Sequence, residues 1–141
     1  MPALSLSQAR AVIDGALAAA RQQGFKPMGI VVIDAAAQVV ASVREDGASA
    51  LRLDIALGKA AGAVGMGVNS RVLTQRAKDL PAFFGAVAAT AQQKFIPQTG
   101  AVLITDAAGA VIGAAGASGG TGDEDEQIVI AGIAAAGLGH A

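Results

Sequence analysis

A glycine-rich segment of this 141-residue chain reads Gly113-Ala114-Ala115-Gly116-Ala117-Ser118-Gly119-Gly120-Thr121-Gly122. It follows an apolar run and leads into Asp123-Glu124-Asp125-Glu126 and a second apolar segment. This order predicts a strand, a tight glycine turn and then a helix. The closely spaced glycines from Gly116 to Gly122 allow positive φ angles and the close approach of another group. The segment therefore predicts the floor of a pocket.

Two similar patterns each predict a β-hairpin. The first has strands at 29–33 and 39–44 around an Asp34-Ala35-Ala36 turn. The second has strands at 101–105 and 111–114 around an Asp106-Ala107-Ala108 turn. Apolar β-branched residues favour strands, and each Asp is expected to accept hydrogen bonds from its own turn. Both hairpins lead into a glycine-containing corner and a helix, which predicts that the two corners lie at comparable ends of one sheet.

Apolar residues recur at helical spacing in the other segments. Helices are predicted after Ser5 or Ser7, at 51–68, after Asn69-Ser70 and from Pro81. The order helix, hairpin, helices, hairpin, helix predicts an α+β fold of the profilin-like kind, with helices packed on a mostly antiparallel sheet of four or five strands. The chain length predicts a single domain over residues 1–141.

Composition limits the classes of function. Hydrophobic residues make up 53% of the chain, the formal net charge is -1 and the aromatic residues are four Phe, so no nucleic-acid partner is expected. The lack of cysteine excludes thiolate chemistry and favours the cytoplasm. No apolar run approaches the ~20 residues that span a bilayer, so no membrane partner is expected. The high apolar content predicts a homo-oligomer.

Five short motifs follow one another along the chain. They are Val32-Ile33-Asp34-Ala35, Arg44-Glu45-Asp46-Gly47-Ala48, Lys59-Ala60, the segment 111–120, and Asp123 with Asp125-Glu126. Together they resemble the GlcG/HbpS family over nearly the whole chain. The resemblance implies an oligomer of α/β fold, haem binding or degradation in some members, kinship with the domain fused to the corrinoid adenosyltransferase PduO, and small-molecule catabolism in others. The chain departs from the family at Glu45, where Met is common, and at residues 95–100.

The resemblance implies haem or corrinoid as the cofactor and leaves its identity unknown. Haem iron takes His, Cys, Met or Tyr as axial ligand, and this chain offers only His140, Met1, Met28 and Met66. His140 is the penultimate residue and is expected in solvent, whereas Met28 and Met66 are expected to fill the core. A bound haem would then be weakly ligated or shared between subunits.

The predicted ligand pocket lies where the two hairpin exits meet. Its binding residues are predicted to be Arg44, Asp46, Gly47, Lys59, Ser118, Gly119, Gly120 and Thr121. Arg44 and Lys59 could hold a carboxylate or polarise a carbonyl group; the alternative is that both are solvated or pair with nearby acids. Arg52 shares a helix face with Lys59, so either of the two could reach inward.

The acidic run after the glycines has two interpretations. It could cap the helix, with Thr121 and Glu124 or Asp123 and Glu126 forming a capping box. Alternatively, Asp123 or Glu126 turns into the pocket, where burial would raise its pKa and suit it to general acid or base catalysis. No metal site is predicted, because consecutive acids point in different directions around a helix.

Two functions follow from this pocket. The first is an oligomeric protein that binds a small molecule or cofactor, either a tetrapyrrole or a small organic anion. The alternative is a small cofactor-independent enzyme of a catabolic pathway. It would use Asp123 or Glu126 for proton transfer on a carbonyl substrate held by Arg44 and Lys59.

Overall fold

The computed structural model describes residues 3–92 and 94–141. Over these residues the chain forms five helices and five strands. In chain order they are α1 (Leu6–Gln23), β1 (Gly29–Asp34), β2 (Val39–Arg44), α2 (Arg52–Met66), α3 (Ser70–Asp79), α4 (Pro81–Thr90), β3 (Ala101–Thr105), β4 (Val111–Ser118), α5 (Gly122–Ala135) and β5 (Gly139–His140). Of the haem-ligand candidates, Met1 lies outside the described residues.

The strands form one sheet in the order β2-β1-β4-β3-β5. Every neighbouring pair is antiparallel. This confirms the predicted α+β fold and gives the upper of the two predicted strand counts. The two hairpins lie side by side, and β1 and β4 are the central strands that join them.

Helices cover both faces of the sheet. Residues of α1 and α5 pack with Ile30 and Val32 on one face, whereas α2 packs with Val31 and Ile33 on the other. Because both faces of β1 are buried, this strand is apolar at successive positions rather than at alternate ones. Between α1 and α5, Gly132 packs directly against the α1 backbone, where a Cβ would collide with it.

The two hairpin turns are built as predicted. Oδ1 of Asp34 accepts hydrogen bonds from the N–H groups of Ala36 and Gln38 at 2.9 and 3.0 Å. Asp106 accepts from the corresponding N–H groups of its own turn at 3.0 and 2.9 Å. Both carboxylates therefore stabilise turns at the end of the sheet opposite to Ser118 and the loop that follows it.

The glycine-rich segment differs from its prediction in two respects. Strand β4 continues to Ser118, so most of the segment is strand rather than turn. The glycines from Gly116 to Gly122 do not have positive φ angles. They are needed because other backbone lies very close: a Cβ on Gly116 would lie 2.6 Å from the carbonyl oxygen of Ala56 in α2. At Gly116 strand β4 can thus pack tightly against α2.

Candidate functional site

The two hairpin exits lie at the same end of the sheet. Gly29, the first residue of β1, pairs with Arg44 at the end of β2 and with Ser118 at the end of β4. The predicted convergence of the exits is therefore confirmed, with one strand between them. The start of β3, the N-terminus of α5 and the first half of α2 contribute to the same end of the molecule.

A buried ion pair lies at this end of the sheet. Nζ of Lys59, on α2, donates to Oδ2 of Asp125, on α5, and to the carbonyl oxygen of Ala117, both at 3.0 Å. The other carboxylate oxygen of Asp125 accepts the N–H of Gly120 at 3.0 Å. Lys59 and Asp125 are only 2% and 1% exposed, so protein atoms enclose both charges.

The pair depends on close backbone packing. Gly100, just before β3, has a φ of +139° and no side chain, and a Cβ there would lie 2.8 Å from Nζ of Lys59. Burial raises the pKa of the Asp125 carboxyl above its ordinary value, while Lys59 and the N–H of Gly120 oppose part of the rise. Burial therefore disfavours the ionised form of this carboxyl group, and the hydrogen bonds from Lys59 and Gly120 reduce that penalty.

Arg52 also points toward this cluster. Its Nη1 donates to Oγ of Ser118 at 3.1 Å, and its charge acts on Asp125 in the same direction as that of Lys59. Either Arg52 or Lys59 was expected to reach inward, and both do, since each contacts the end of β4. Ser118 is buried as well, at 1% exposure, which leaves it accessible only if the surrounding segments move.

The two acids predicted to be catalytic lie outside the buried cluster, with Asp123 exposed and Glu126 partly buried. Arg71, on α3, forms ion pairs with both Asp123 and Glu126, and its Nε lies 3.1 Å from each carboxylate oxygen of Glu126. The side chains of Asp123 and Glu126 are 80% and 16% exposed. Among the four consecutive acids, the buried position belongs instead to Asp125.

The sequence contains a signal that Asp125 is the buried acid. The buried positions of α5 are Asp125, Ile128, Val129, Gly132 and Ile133. They follow the spacing of one helix face, so the apolar stripe that is visible from Ile128 onward begins at Asp125. Extending that stripe backwards would have identified the inward-pointing acid.

The loop between β4 and α5 serves mainly to start the helix. The side chain of Thr121 accepts the N–H of Glu124, and the side chain of Glu124 accepts the N–H of Thr121. This confirms the first of the two capping boxes that were considered. Gly119 is buried against the backbone at Pro27 and Met28, and Gly120 contacts Glu124. The four predicted binding residues from Ser118 to Thr121 thus have identified contacts within the chain itself.

The corner after β2 borders an open groove of about 440 Å³. Arg44 and Asp46 line it together with α1 residues, and the Arg21–Glu45 ion pair lies at its side. Arg44 also donates to the carbonyl oxygen of Ala48 at 2.7 Å, and Gly47 has a φ of +84° that shapes the turn. The predicted binding residues are therefore divided between this groove and the enclosed cluster around Lys59.

Glu45, which stands where Met is common in the family, has a structural role here. Its Oε1 accepts the N–H of Met28 at 2.9 Å, and its carboxylate pairs with Arg21 at 3.0 Å. These contacts connect the end of β2 to α1.

Of the described haem-ligand candidates, Met28 is completely buried, Met66 is half-buried and His140 is exposed.

The molecule is thus an α+β sheet protein with a charged cluster at one sheet end, and comparison with known proteins identifies its family. The chain belongs to the HbpS-like family, described as haem degrading protein HbpS-like, whose model matches residues 4–134. The resemblance seen in the sequence is therefore confirmed. None of the curated proteins gives a significant sequence match.

Solved structures agree with this assignment. The haem complex of PduOC shares 26% identity, with 98% of each chain covered and a TM-score of 0.87. A double mutant of HbpS from Streptomyces reticuli shares 27% identity over 95% of this chain and 87% of that one, with a TM-score of 0.81. Protein ORFY from Klebsiella pneumoniae, at 23% identity, 94% and 90% coverage and a TM-score of 0.85, supports the fold alone.

Proposed function

We propose that this HbpS-like protein binds a tetrapyrrole, with haem as the first candidate and a corrinoid as the second; a small organic anion is the alternative ligand. The observation that carries the proposal is the likeness to PduOC, which covers 98% of both chains and whose solved structure is a haem complex. No helix within the described residues is long and apolar enough to cross a membrane.

The donor set of the chain limits how haem could be held. Met28 is fully buried in the core, so among the described candidates Met66 and His140 remain as axial donors. A haem would supply a redox-active iron, whereas this chain would supply a thioether or an imidazole, together with apolar surface. A thioether and an imidazole are both ligand types that haem iron accepts, so the residues present fit the group.

Binding is favoured over catalysis by the positions of the acids. Asp123 and Glu126 pair with Arg71 at the surface, and Asp125 is enclosed together with Lys59. A general acid or base must come within hydrogen-bond reach of its substrate. The open groove beside Arg44 and Asp46 could admit a small organic anion without rearrangement, but neither Met66 nor His140 lines it.

We also propose that the protein is a homo-oligomer. Helix α4 carries no charged residue, and only Phe84 of its ten residues is buried within the chain. Phe83 on the same helix and Leu80 just before it are each 57% exposed. Contiguous apolar surface of this kind is typical of subunit interfaces.

A haem titration of the purified protein tests the tetrapyrrole proposal. We expect a shifted Soret band that saturates at a stoichiometric ratio, with cobalamin titrated in parallel to test a corrinoid. Met66→Leu and His140→Ala identify the axial donor, because removal of the donor should change the Soret position while the other variant keeps the wild-type spectrum. An unshifted Soret band throughout, together with no cobalamin binding, would reject tetrapyrrole binding.

A further inference from the structure

A narrow slot of about 160 Å³ lies between α2 and α4. It shares no lining residue with the groove beside Arg44 and is separate from the cluster around Lys59. Its lining is mostly apolar and includes Gly62, Gly65, Met66, Val87, Lys94 and Phe95. The hydroxyl of Thr90, which also lines it, donates to the carbonyl oxygen of Ala86 at 2.9 Å and is therefore already satisfied.

The glycines that open the slot are not required by packing within the chain. A Cβ on Gly62 would make ordinary contacts at 3.7 Å and beyond, and one on Gly65 would meet nothing within 4 Å. Gly58, on the same helix, differs because its Cβ would lie 2.7 Å from the side chain of Ile96. Each glycine inside a helix costs up to ~1 kcal/mol against Ala. Gly62 thus lowers the stability of the helix interior, and together with Gly65, the next-to-last residue of α2, it leaves space beside Met66.

The charge at the slot restricts what could occupy it. Lys94 is its one charged lining residue, and it is exposed. Among the described residues, Lys94 forms no ion pair. The remaining walls offer methyl, methylene, thioether and phenyl groups, and Phe95 is stacked on Phe84 with ring centroids 5.9 Å apart. The slot therefore combines an apolar enclosure with a single positive charge.

From this geometry we infer that the α2–α4 slot binds a flat or short apolar group that carries one carboxylate. An apolar cavity of about 150 Å³ is large enough for benzene, so a slot of about 160 Å³ accepts one six-membered ring or a short aliphatic chain. The apolar group would lie against Gly65 and Met66, and its carboxylate would pair with Lys94. The same chemistry occurs in a free aromatic acid and in the propionate-bearing edge of a tetrapyrrole.

The inference goes beyond haem binding and does not depend on it. A free carboxylic acid would bind even if no tetrapyrrole does, and haem could bind at His140 without entering the slot. Benzoate, benzyl alcohol and metal-free protoporphyrin are therefore tested separately. Benzoate and benzyl alcohol share the ring and differ in charge, whereas protoporphyrin presents the ring edge of a tetrapyrrole without its iron.

Amide NMR spectra of the full chain provide the readout. We expect benzoate to shift the amide signals of Gly65, Met66 and Val87, and to bind more tightly than benzyl alcohol. Gly65→Leu fills the slot with a better helix former and should weaken benzoate binding by at least about ten-fold. Lys94→Met should weaken it by about three-fold and abolish the preference for benzoate. Ala18→Leu, at an exposed position of α1 that does not line the slot, should bind as the wild type does.

Three results would overturn the inference. The first is an absence of benzoate-induced shifts around Gly65, and the second is wild-type binding by Gly65→Leu. The third is a lower sedimentation coefficient of Gly65→Leu without ligand, which would show that a second copy of the chain occupies the slot. If benzoate binds and protoporphyrin does not, the slot is a site for free acids; protoporphyrin binding that is lost in Gly65→Leu assigns the slot to the tetrapyrrole edge.

Discussion

Nζ of Lys59 lies 3.0 Å from Oδ2 of Asp125, and their side chains are only 3% and 1% exposed. The two residues come from α2 and α5, which pack on opposite faces of the sheet. They meet near the end of β4, at the carbonyl oxygen of Ala117. The ion pair therefore connects both helical layers at the end of the molecule that carries the predicted binding residues.

The first prediction concerns the cost of breaking this pair. Lys59→Met leaves the Asp125 carboxylate buried without its cation, and we expect it to lower the free energy of unfolding at neutral pH by about 3–5 kcal/mol. Adding Asp125→Asn to this variant removes the uncompensated charge and should recover most of the loss. Urea denaturation measures both variants, and Arg71→Met, at the exposed pair with Glu126, should cost less than about 1 kcal/mol. Equal losses in the single and double variants would contradict the coupling.

The second prediction concerns pH. Burial raises the pKa of Asp125 above the ordinary value of 3.8, and Lys59 opposes the rise. At pH values between 3.8, the pKa in the unfolded chain, and the higher pKa of the native state, native Asp125 keeps a proton that the unfolded chain has lost. The contribution of Asp125 to stability is therefore present at low pH and is lost as pH rises through the native pKa.

The carboxyl carbon signal of Asp125, followed by NMR across an acid titration, measures this pKa directly. We expect a midpoint above 3.8 in the wild type and a higher midpoint in Lys59→Met, because the opposing cation is gone. The stability of Lys59→Met should accordingly increase as pH falls from neutral toward that midpoint. A wild-type midpoint at or below 3.8 would contradict the role assigned to burial.

The third prediction concerns Gly100. A side chain at this position would need a φ of +139° and would lie 2.8 Å from Nζ of Lys59 and 3.0 Å from the carbonyl oxygen of Ala117. Gly100→Ala should therefore destabilise the protein by about 2–4 kcal/mol, because it adds a collision to the backbone strain. Gly24→Ala is the matched control, with a φ of +69° but nothing within 4 Å, and should cost about 1 kcal/mol. Equal denaturation midpoints for the two variants would refute a special role for Gly100.

The fourth prediction concerns assembly through α4. We expect sedimentation velocity to show a homo-oligomer, and Phe83→Lys to shift it toward smaller species because a charge would enter the apolar surface. Val39→Lys adds the same charge at a position on β2 that is 51% exposed, and it should leave the assembly intact. A wild-type protein that sediments as a monomer at every concentration would reject the proposed oligomer, and dissociation by Val39→Lys alone would place the interface elsewhere.

Much of the fold could be predicted because the features that specify it are local. Asp34 and Asp106 bind N–H groups within their own turns, and Thr121 and Glu124 cap the helix that follows them. Such contacts span only a few residues, so residue type and spacing are sufficient to predict them. That the two corners lie at comparable ends of one sheet followed from the similar order of strand, turn, strand and corner in the two hairpins.

The candidate site was less predictable, because its geometry depends on long-range packing. The local sequence gave no reason to extend β4 to Ser118; that extension comes from pairing with both β1 and β3. Gly116 and Gly119 were expected to adopt positive φ but instead permit close contact with α2 and with the backbone before β1, both of which lie far away in sequence.

The sequence by itself determined most of the elements, the hairpin turns and the antiparallel sheet, because short-range hydrogen bonds and apolar periodicity encode them, and the order of its motifs carried the resemblance to the family. Only the tertiary structure decided that Asp125, rather than Asp123 or Glu126, meets Lys59 in the interior. The rotation of a helix about its own axis is set by the surface on which it packs. Which of the four consecutive acids is buried therefore depends on how α5 packs against the sheet and its neighbouring helices.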